Sequence, residues 1–256
     1  MTSLPPAQCC IAGHLHSGTP KGELKKIDDS FILMYISPAI VLTYVSYPPD
    51  KSTHNAILFL SDIFGPKLVN SQLIADQFAA NGYFVVLPDL FHGDPVPVER
   101  EGNFDVMAWL KNHLPPVTDP VIDKTLRYMR QELGCQRIGG VGYCYGGKYV
   151  ARYLKPGLLD VGYMAHPTHV EVDELKGIQG PLSISAASSD YLFPTEKRRE
   201  TEDILSELGH PYEITVYSHV EHGYAVRCNM DIKQQRVAKE KSFAQAAGWF
   251  DAYLKE

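Results

Sequence analysis

Gly142-Tyr143-Cys144-Tyr145-Gly146-Gly147 sets a cysteine between glycines, directly after the apolar run RIGGVGYC (137–144) and directly before a segment of helical character that reaches about 154. This is the spacing of the G-x-S-x-G nucleophile elbow with a thiol in place of the hydroxyl. The residue types follow from the geometry. The central residue of such an elbow sits on a tight strand-to-helix turn in a strained backbone conformation. The neighbours two positions away must lack bulk for the turn to close. The side chain then stands above the sheet with a helix N-terminus beneath it, where free N–H groups and a partial positive charge favour a thiolate over a thiol.

A thiol nucleophile needs a base, and the base needs an orienting group. In a sheet of this kind the order along the chain is nucleophile, acid, histidine, each in a loop after a later strand. LSISAA (182–187) is followed by Ser188-Ser189-Asp190, and EITVY (213–217) by Ser218-His219-Val220-Glu221-His222-Gly223. Asp190 and His222 are therefore the expected partners of Cys144. His219 competes with His222, but Gly223 after His222 lets backbone and substrate approach closely. An oxyanion hole takes one N–H from the residue after the nucleophile, Tyr145, and one from the loop after an earlier strand. That loop reads Ser61-Asp62-Ile63-Phe64-Gly65, and Ile63 is the expected second donor. Phe64, Tyr145, Tyr191, Phe193 and Tyr224 are candidate pocket linings, and His92 and His166 lie at or after strand ends where they could border the pocket.

The elements that must position these groups alternate along the chain. AILFLS (56–61), YFVVLP (83–88), RIGGVGYC, VGYMAH (161–166), LSISAA and EITVY read as strands, several of them continuous apolar runs as expected for strands covered on both faces. FILMYIS (31–37) and IVLTYVS (40–46) read as a strand pair at one sheet edge. Helical spacing follows AILFLS and ends at Asn81-Gly82, and further helices are expected near 103–113, 120–133, 195–208 and 232–254. The alternation predicts an α/β fold with a mostly parallel central sheet of about eight strands and helices on both faces. Active groups in such sheets sit at the carboxyl ends of strands. Without a repeat, low-complexity tract or linker, residues 1–256 are expected to form a single domain, with 1–29 an irregular N-terminal arm.

Composition excludes several classes. With 24 Lys plus Arg against 30 Asp plus Glu the net charge is −6, which disfavours nucleic acid as a partner. No apolar run is long enough for a membrane span, and MTSLPPAQCC lacks the features of a secretory signal, so a cytoplasmic location is expected. The five cysteines, at 9, 10, 135, 144 and 228, have no framework spacing and are expected as free thiols.

Asp-Ile-Phe-Gly at 62–65, Pro88-Asp89, the hexamer at 142–147, Asp190 and His222-Gly223-Tyr224 together resemble the dienelactone hydrolase family of the α/β-hydrolase fold. The N-terminal Cys-Cys with Gly13, His16, Gly18 and Pro20 is similar to the eukaryotic, especially fungal, branch. The resemblance spans nearly the whole chain. It implies hydrolysis of a small ester or lactone by a Cys144–His222–Asp190 triad through a thioester, with no metal or organic cofactor, in a monomer or homodimer. Bacterial members carry Glu where this chain has Asp62, and that Glu alternately pairs with the thiol. Arg227 resembles an arginine that binds a substrate carboxylate, and for a second such arginine only Arg100 is available between 89 and 100. Three other readings stand beside this one. The same cavity could serve a catalytically silent small-molecule binder. A redox role would require a resolving thiol, for which Cys228 is the candidate. A metal site would require a third ligand beside His219 and His222.

Overall fold

The computed structural model describes residues 1–28, 40–99 and 104–255. Its strands are β1 (Glu23–Asp28), β2 (Ile40–Ser46), β3 (Asn55–Leu60), β4 (Phe84–Pro88), β5 (Arg137–Tyr143), β6 (Val161–Ala165), β7 (Leu182–Ser189) and β8 (Tyr212–Glu221). They form one eight-stranded sheet in the order β1-β2-β4-β3-β5-β6-β7-β8. The pairs β1–β2 and β2–β4 are antiparallel and all others are parallel. The helices are α1 (Val69–Ala80), α2 (Val106–Leu110), α3 (Pro115–Gln131), α4 (Tyr145–Tyr153), α5 (Val172–Lys176), α6 (Thr195–Leu208), α7 (Tyr224–Arg227) and α8 (Lys233–Tyr253). Among the described residues no helix is long and apolar enough to cross a membrane.

Burial explains the central strands. Ile57, Leu58 and Phe59 of β3 and Val85 and Val86 of β4 are fully enclosed, because successive side chains point to opposite faces and both faces are covered. In β5 glycines set the closeness of that cover. A Cβ at Gly139 would press into the Phe250 ring of α8, whereas one at Gly142 would lie 2.6 Å from the Gly146 carbonyl oxygen of α4. The two helices thus pack on opposite faces of one strand, and α4 is drawn tightly against the strand that delivers Cys144.

The chain runs from β3 outward to β4 on one side and then returns to β5 on the other. Strand order therefore reverses between β3 and β5, the crevice where open α/β sheets bind ligands. The loop carrying Ile63 leaves β3 there, and Cys144 leaves β5 there.

Two elements differ from the sequence expectation. IVLTYVS is the strand β2, but its outer partner is β1, which lies within the arm expected to be irregular; the FILMYIS segment falls outside the described residues. In ELKKID only Ile27 is buried among residues 23–27, so the strand has almost no apolar pattern to read. It is a lysine-bearing edge, which suits a strand with one side in water. The second helix expected around 120–133 begins earlier, at Pro115, with proline in its first turn where no intrahelical N–H bond is lost, and it continues through Pro120.

Candidate functional site

Cys144 is the N-cap of α4 and has φ 52° and ψ −111°, a backbone state that side-chain-bearing residues rarely adopt. The surroundings hold it there. Its N–H donates to the Ala165 carbonyl (3.1 Å), and its carbonyl accepts from Thr168 and Gly147 N–H (both 3.1 Å). A Cβ at Gly146 would overlap the Leu60 carbonyl oxygen, so glycine is required for α4 to approach β3. The thiol is fully buried.

Asp190 is the first residue after β7, and His222 the first after β8. The register explains their meeting: an irregularity between Ala187 and Ser189 brings Ser189 opposite Glu221, so the residues following each are neighbours. His222 Nδ1 lies 2.9 Å and 3.1 Å from the two Asp190 carboxylate oxygens. Asp190 Oδ1 also accepts from the Leu192 (2.8 Å) and Phe193 (3.3 Å) N–H groups, which fixes the carboxylate. Both side chains are almost wholly buried. His219 lies inside β8, exposed, with φ 59°.

Sequence reasoning missed one member of the cluster. Cys10, in a 3₁₀ turn over Gln8–Ile11, is fully buried with its Sγ 3.5 Å from Cys144 Sγ and 3.6 Å from His222 Nε2. The two sulfurs and a ring nitrogen of His222 lie within 4.8 Å of one another. Two thiols and an imidazole are also ligands suited to a soft cation. The Cys-Cys pair was visible in the sequence, but no periodicity links an N-terminal arm to the top of a distant strand. Cys228, the thiol the sequence offered instead, has its Sγ against Met230 Sδ at 3.5 Å.

The electrostatics favour an ion pair, with a thiolate at Cys144 and a charged imidazole at His222. Burial pushes the Cys144 thiol up, but hydrogen bonding from Cys10 and the charge of His222 outweigh it and hold the thiol well below its ordinary range. Burial likewise opposes a charged imidazole at His222, yet the Cys144 and Asp190 charges raise it to about 10. Burial and its contacts with Cys144 and Cys9 raise Cys10, so it keeps its proton beside the thiolate. His166, φ 38°, packs edge-on to His222 with ring centroids 4.9 Å apart. Burial first, and then the His222 and Arg227 charges, hold His166 well below its usual range and therefore neutral. His92, by contrast, places Nε2 3.0 Å from the Val117 carbonyl oxygen.

Of the expected oxyanion donors, the Ile63 N–H has no hydrogen-bond partner among the described residues, and Tyr145 opens α4, where the first N–H groups of a helix lack intrahelical partners. The Tyr145 hydroxyl is anchored away from the thiol, on Thr118 Oγ1 (2.7 Å) and Tyr149 (2.9 Å). Phe64, Phe193 and Tyr224 are buried, and the Tyr224 ring lies 5.7 Å from that of His166. Tyr191 is 73% exposed and stands apart from these three. Asp62 is fully buried and ion-paired with Arg227 Nη1, with Phe64 N–H also donating to it (3.1 Å). Burial raises the Asp62 carboxyl and Arg227 draws it back. The remaining Arg227 nitrogens donate to the Ala12 and Cys10 carbonyls, each at 2.9 Å. Each Arg227 nitrogen thus already holds a partner, and the group in contact with the thiol is Cys10 where the resemblance placed a carboxylate. Arg100 lies outside the described residues.

Known proteins are similar to this chain in sequence and fold. The model of the dienelactone hydrolase family matches residues 41–254. The chain is 64% identical over 256 residues to the hydrolase pyvD of Aspergillus violaceofuscus, covering 100% of both chains. It is 50% identical over 264 residues to the hydrolase tropI of Talaromyces stipitatus, again covering 100% of both. In fold it is similar to the crystal structure of a Klebsiella pneumoniae protein named as a dienelactone hydrolase, with a TM-score of 0.73 at 16% identity, covering 92% of this chain and 100% of that one. A strained cysteine at the strand-order reversal, its histidine and its aspartate thus sit within a match that spans the sheet from β2 to the end of α8: the chain belongs to the dienelactone hydrolase family and has the α/β-hydrolase fold.

Proposed function

We propose that the protein hydrolyses a small carboxylic ester or lactone through a thioester on Cys144. The observation that carries the reading is the buried cluster in which His222 Nδ1 lies against both Asp190 carboxylate oxygens and a ring nitrogen of the same histidine lies within 4.8 Å of the Cys144 sulfur.

The steps follow from the charges. The Cys144 thiolate attacks the carbonyl carbon, and the developing oxyanion lies against the Ile63 and Tyr145 N–H groups. Preorganised donors of this kind are worth ~100–1000-fold each in rate. Collapse of the tetrahedral adduct expels an alkoxide, which takes the Nε2 proton of His222. The neutral imidazole then removes a proton from water as its oxygen attacks the thioester. Collapse of this second adduct returns the thiolate and the acid product, and His222 is again protonated. Asp190 keeps Nδ1 as the donor side of the ring through both halves. In a lactone the alkoxide remains tethered and is released with the acid as one hydroxy acid.

Cys144→Ala tests the reading on a panel of small aryl esters and lactones. Loss of kcat on the order of 10⁶-fold is expected, because nucleophile and base act as a unit. Undiminished turnover by the variant would rule the thioester route out.

A further inference from the structure

The reactive sulfur of this site has a second thiol in contact with it, and that thiol belongs to a segment only strapped onto the sheet. Cys10 Sγ and Cys144 Sγ are 3.5 Å apart, both fully buried. A disulfide is about 2.05 Å long, so roughly 1.5 Å of closure separates the contact from a bond. The arm around Cys10 is not part of the sheet. It is held by bonds to loops and helix ends: Thr2 N–H to the Val170 carbonyl (2.7 Å), His169 N–H to the Leu4 carbonyl (2.8 Å), Leu4 N–H to Leu192 (2.8 Å), His14 N–H to Arg227 (2.9 Å), His16 N–H to Asn70 Oδ1 (2.8 Å), and the Arg227 guanidinium on the Ala12 and Cys10 carbonyls. None of these bonds is a strand pairing, so closing Cys10 onto Cys144 breaks no ladder of the sheet. Asn70 supports the far side, donating to the His14 carbonyl (2.8 Å).

We propose that Cys10 is a resolving thiol and that Cys10 and Cys144 form a reversible disulfide, which withdraws the nucleophile and pins the arm across it. The oxidant is a hydroperoxide small enough to enter a buried site. The Cys144 thiolate attacks one peroxide oxygen, the O–O bond breaks, and Cys144 becomes a sulfenic acid as the other oxygen takes the proton of His222 and leaves as water or alcohol. Cys10 sulfur then attacks the Cys144 sulfur, the S–O bond breaks, and hydroxide departs with the Cys10 proton as water. Two thiols have lost one electron each to the peroxide, and a dithiol reverses the change by exchange. Without a neighbouring thiol the sulfenic acid would go on to the irreversible sulfinic acid.

The loss of hydrolysis on oxidation rests on the Cys144 thioester reading; the crosslink itself does not, and the two are read separately. The full-length chain is treated with a small molar excess of hydrogen peroxide, blocked, digested without reductant and analysed by mass spectrometry, with hydrolysis measured in parallel before and after dithiothreitol. The expected product is a Cys10–Cys144 linked peptide pair, in a chain lighter by two hydrogen atoms. Activity is expected to fall in proportion to the linked fraction and to return with dithiothreitol. In Cys10→Ser the same treatment is expected to leave Cys144 as a sulfinic acid that dithiothreitol does not rescue. Cys9→Ser and Cys228→Ser, which keep both partners, are expected to form the link as the wild type does, and they carry the test should Cys10→Ser fail to fold. Sulfinic acid at Cys144 in the wild type, or a link joining Cys9 to Cys10 or Cys144 to Cys228 in its place, would overturn the proposal. A link that forms while hydrolysis continues would leave the disulfide standing and overturn the Cys144 thioester reading.

Discussion

Cys10 and His222 lower the Cys144 thiol, and Cys144 and Asp190 raise His222. His222 is raised to about 10, above its ordinary 6.5, so its proton is held in the folded chain at neutral pH and is lost as pH rises through about 10. Cys144 is lowered, so its thiolate exists at pH values where an ordinary thiol, with a value near 8.5, is protonated. The difference in ultraviolet thiolate absorbance between wild type and Cys144→Ala is therefore expected to be present at neutral pH and to persist well into acid. The same difference taken in a His222→Ala background is expected to appear only as pH rises toward the alkaline range. A wild-type difference that grows in step with an ordinary thiol would contradict the ion pair. At this scale the meeting of Cys144, Asp190 and His222 at strand ends was legible because each follows a strand whose apolar run announces it. Cys10 was not, because what places it against the thiol is the path of an arm with no repeating pattern, and a tertiary path leaves no local mark.

The elbow depends on how closely α4 lies on β3 and β5. Gly146 faces the Leu60 carbonyl oxygen with no space for a side chain, and its neighbour Gly142 faces the Gly146 carbonyl. Gly146→Ala must push α4 outward, and overpacking of this kind costs about 1–3 kcal/mol or more. A lower urea midpoint with an unchanged slope is expected, together with reduced turnover as Cys144 is displaced; a midpoint equal to wild type would show the contact to be slack. The existence of the strands in the parallel part of the sheet was readable from continuous buried runs such as AILFLS and YFVVLP. β1 was not, since an edge strand with Leu24 and Lys26 in water owes its conformation to hydrogen bonds with β2 rather than to side-chain burial. The length of β8 was also hidden: EITVY announces its start, but the strand continues past exposed His219 to Glu221, and the irregular pairing with β7 is what aligns His222 with Asp190.

Across the molecule, the buried pair Asp62–Arg227 ties the loop after β3 to α7 and, through Arg227, to the arm that carries Cys10. One residue thereby links the oxyanion loop, the histidine end of the sheet and the N-terminal strap. Asp62→Ala would leave a buried guanidinium without its counter-charge, a change that typically costs about 3–5 kcal/mol. In a chain of this size that corresponds to a fall in Tm on the order of 10 °C, measurable by calorimetry; a Tm within experimental error of wild type would mean that the pair is not holding these parts together. The mostly parallel sheet with helices on both faces was legible from alternation, and the α/β-hydrolase fold from the resemblance, whereas the closure of the arm over the nucleophile leaves no mark in the sequence. All of the proposed chemistry passes through one atom, the sulfur of Cys144, with Cys10 sulfur beside it as the natural competitor. The most direct measurement is to mix the enzyme with an activated aryl ester, quench in acid during turnover and map the acylated peptide by mass spectrometry. The account predicts an acyl group on Cys144; continued ester cleavage with the acyl group on Cys10, or on no cysteine, would contradict it.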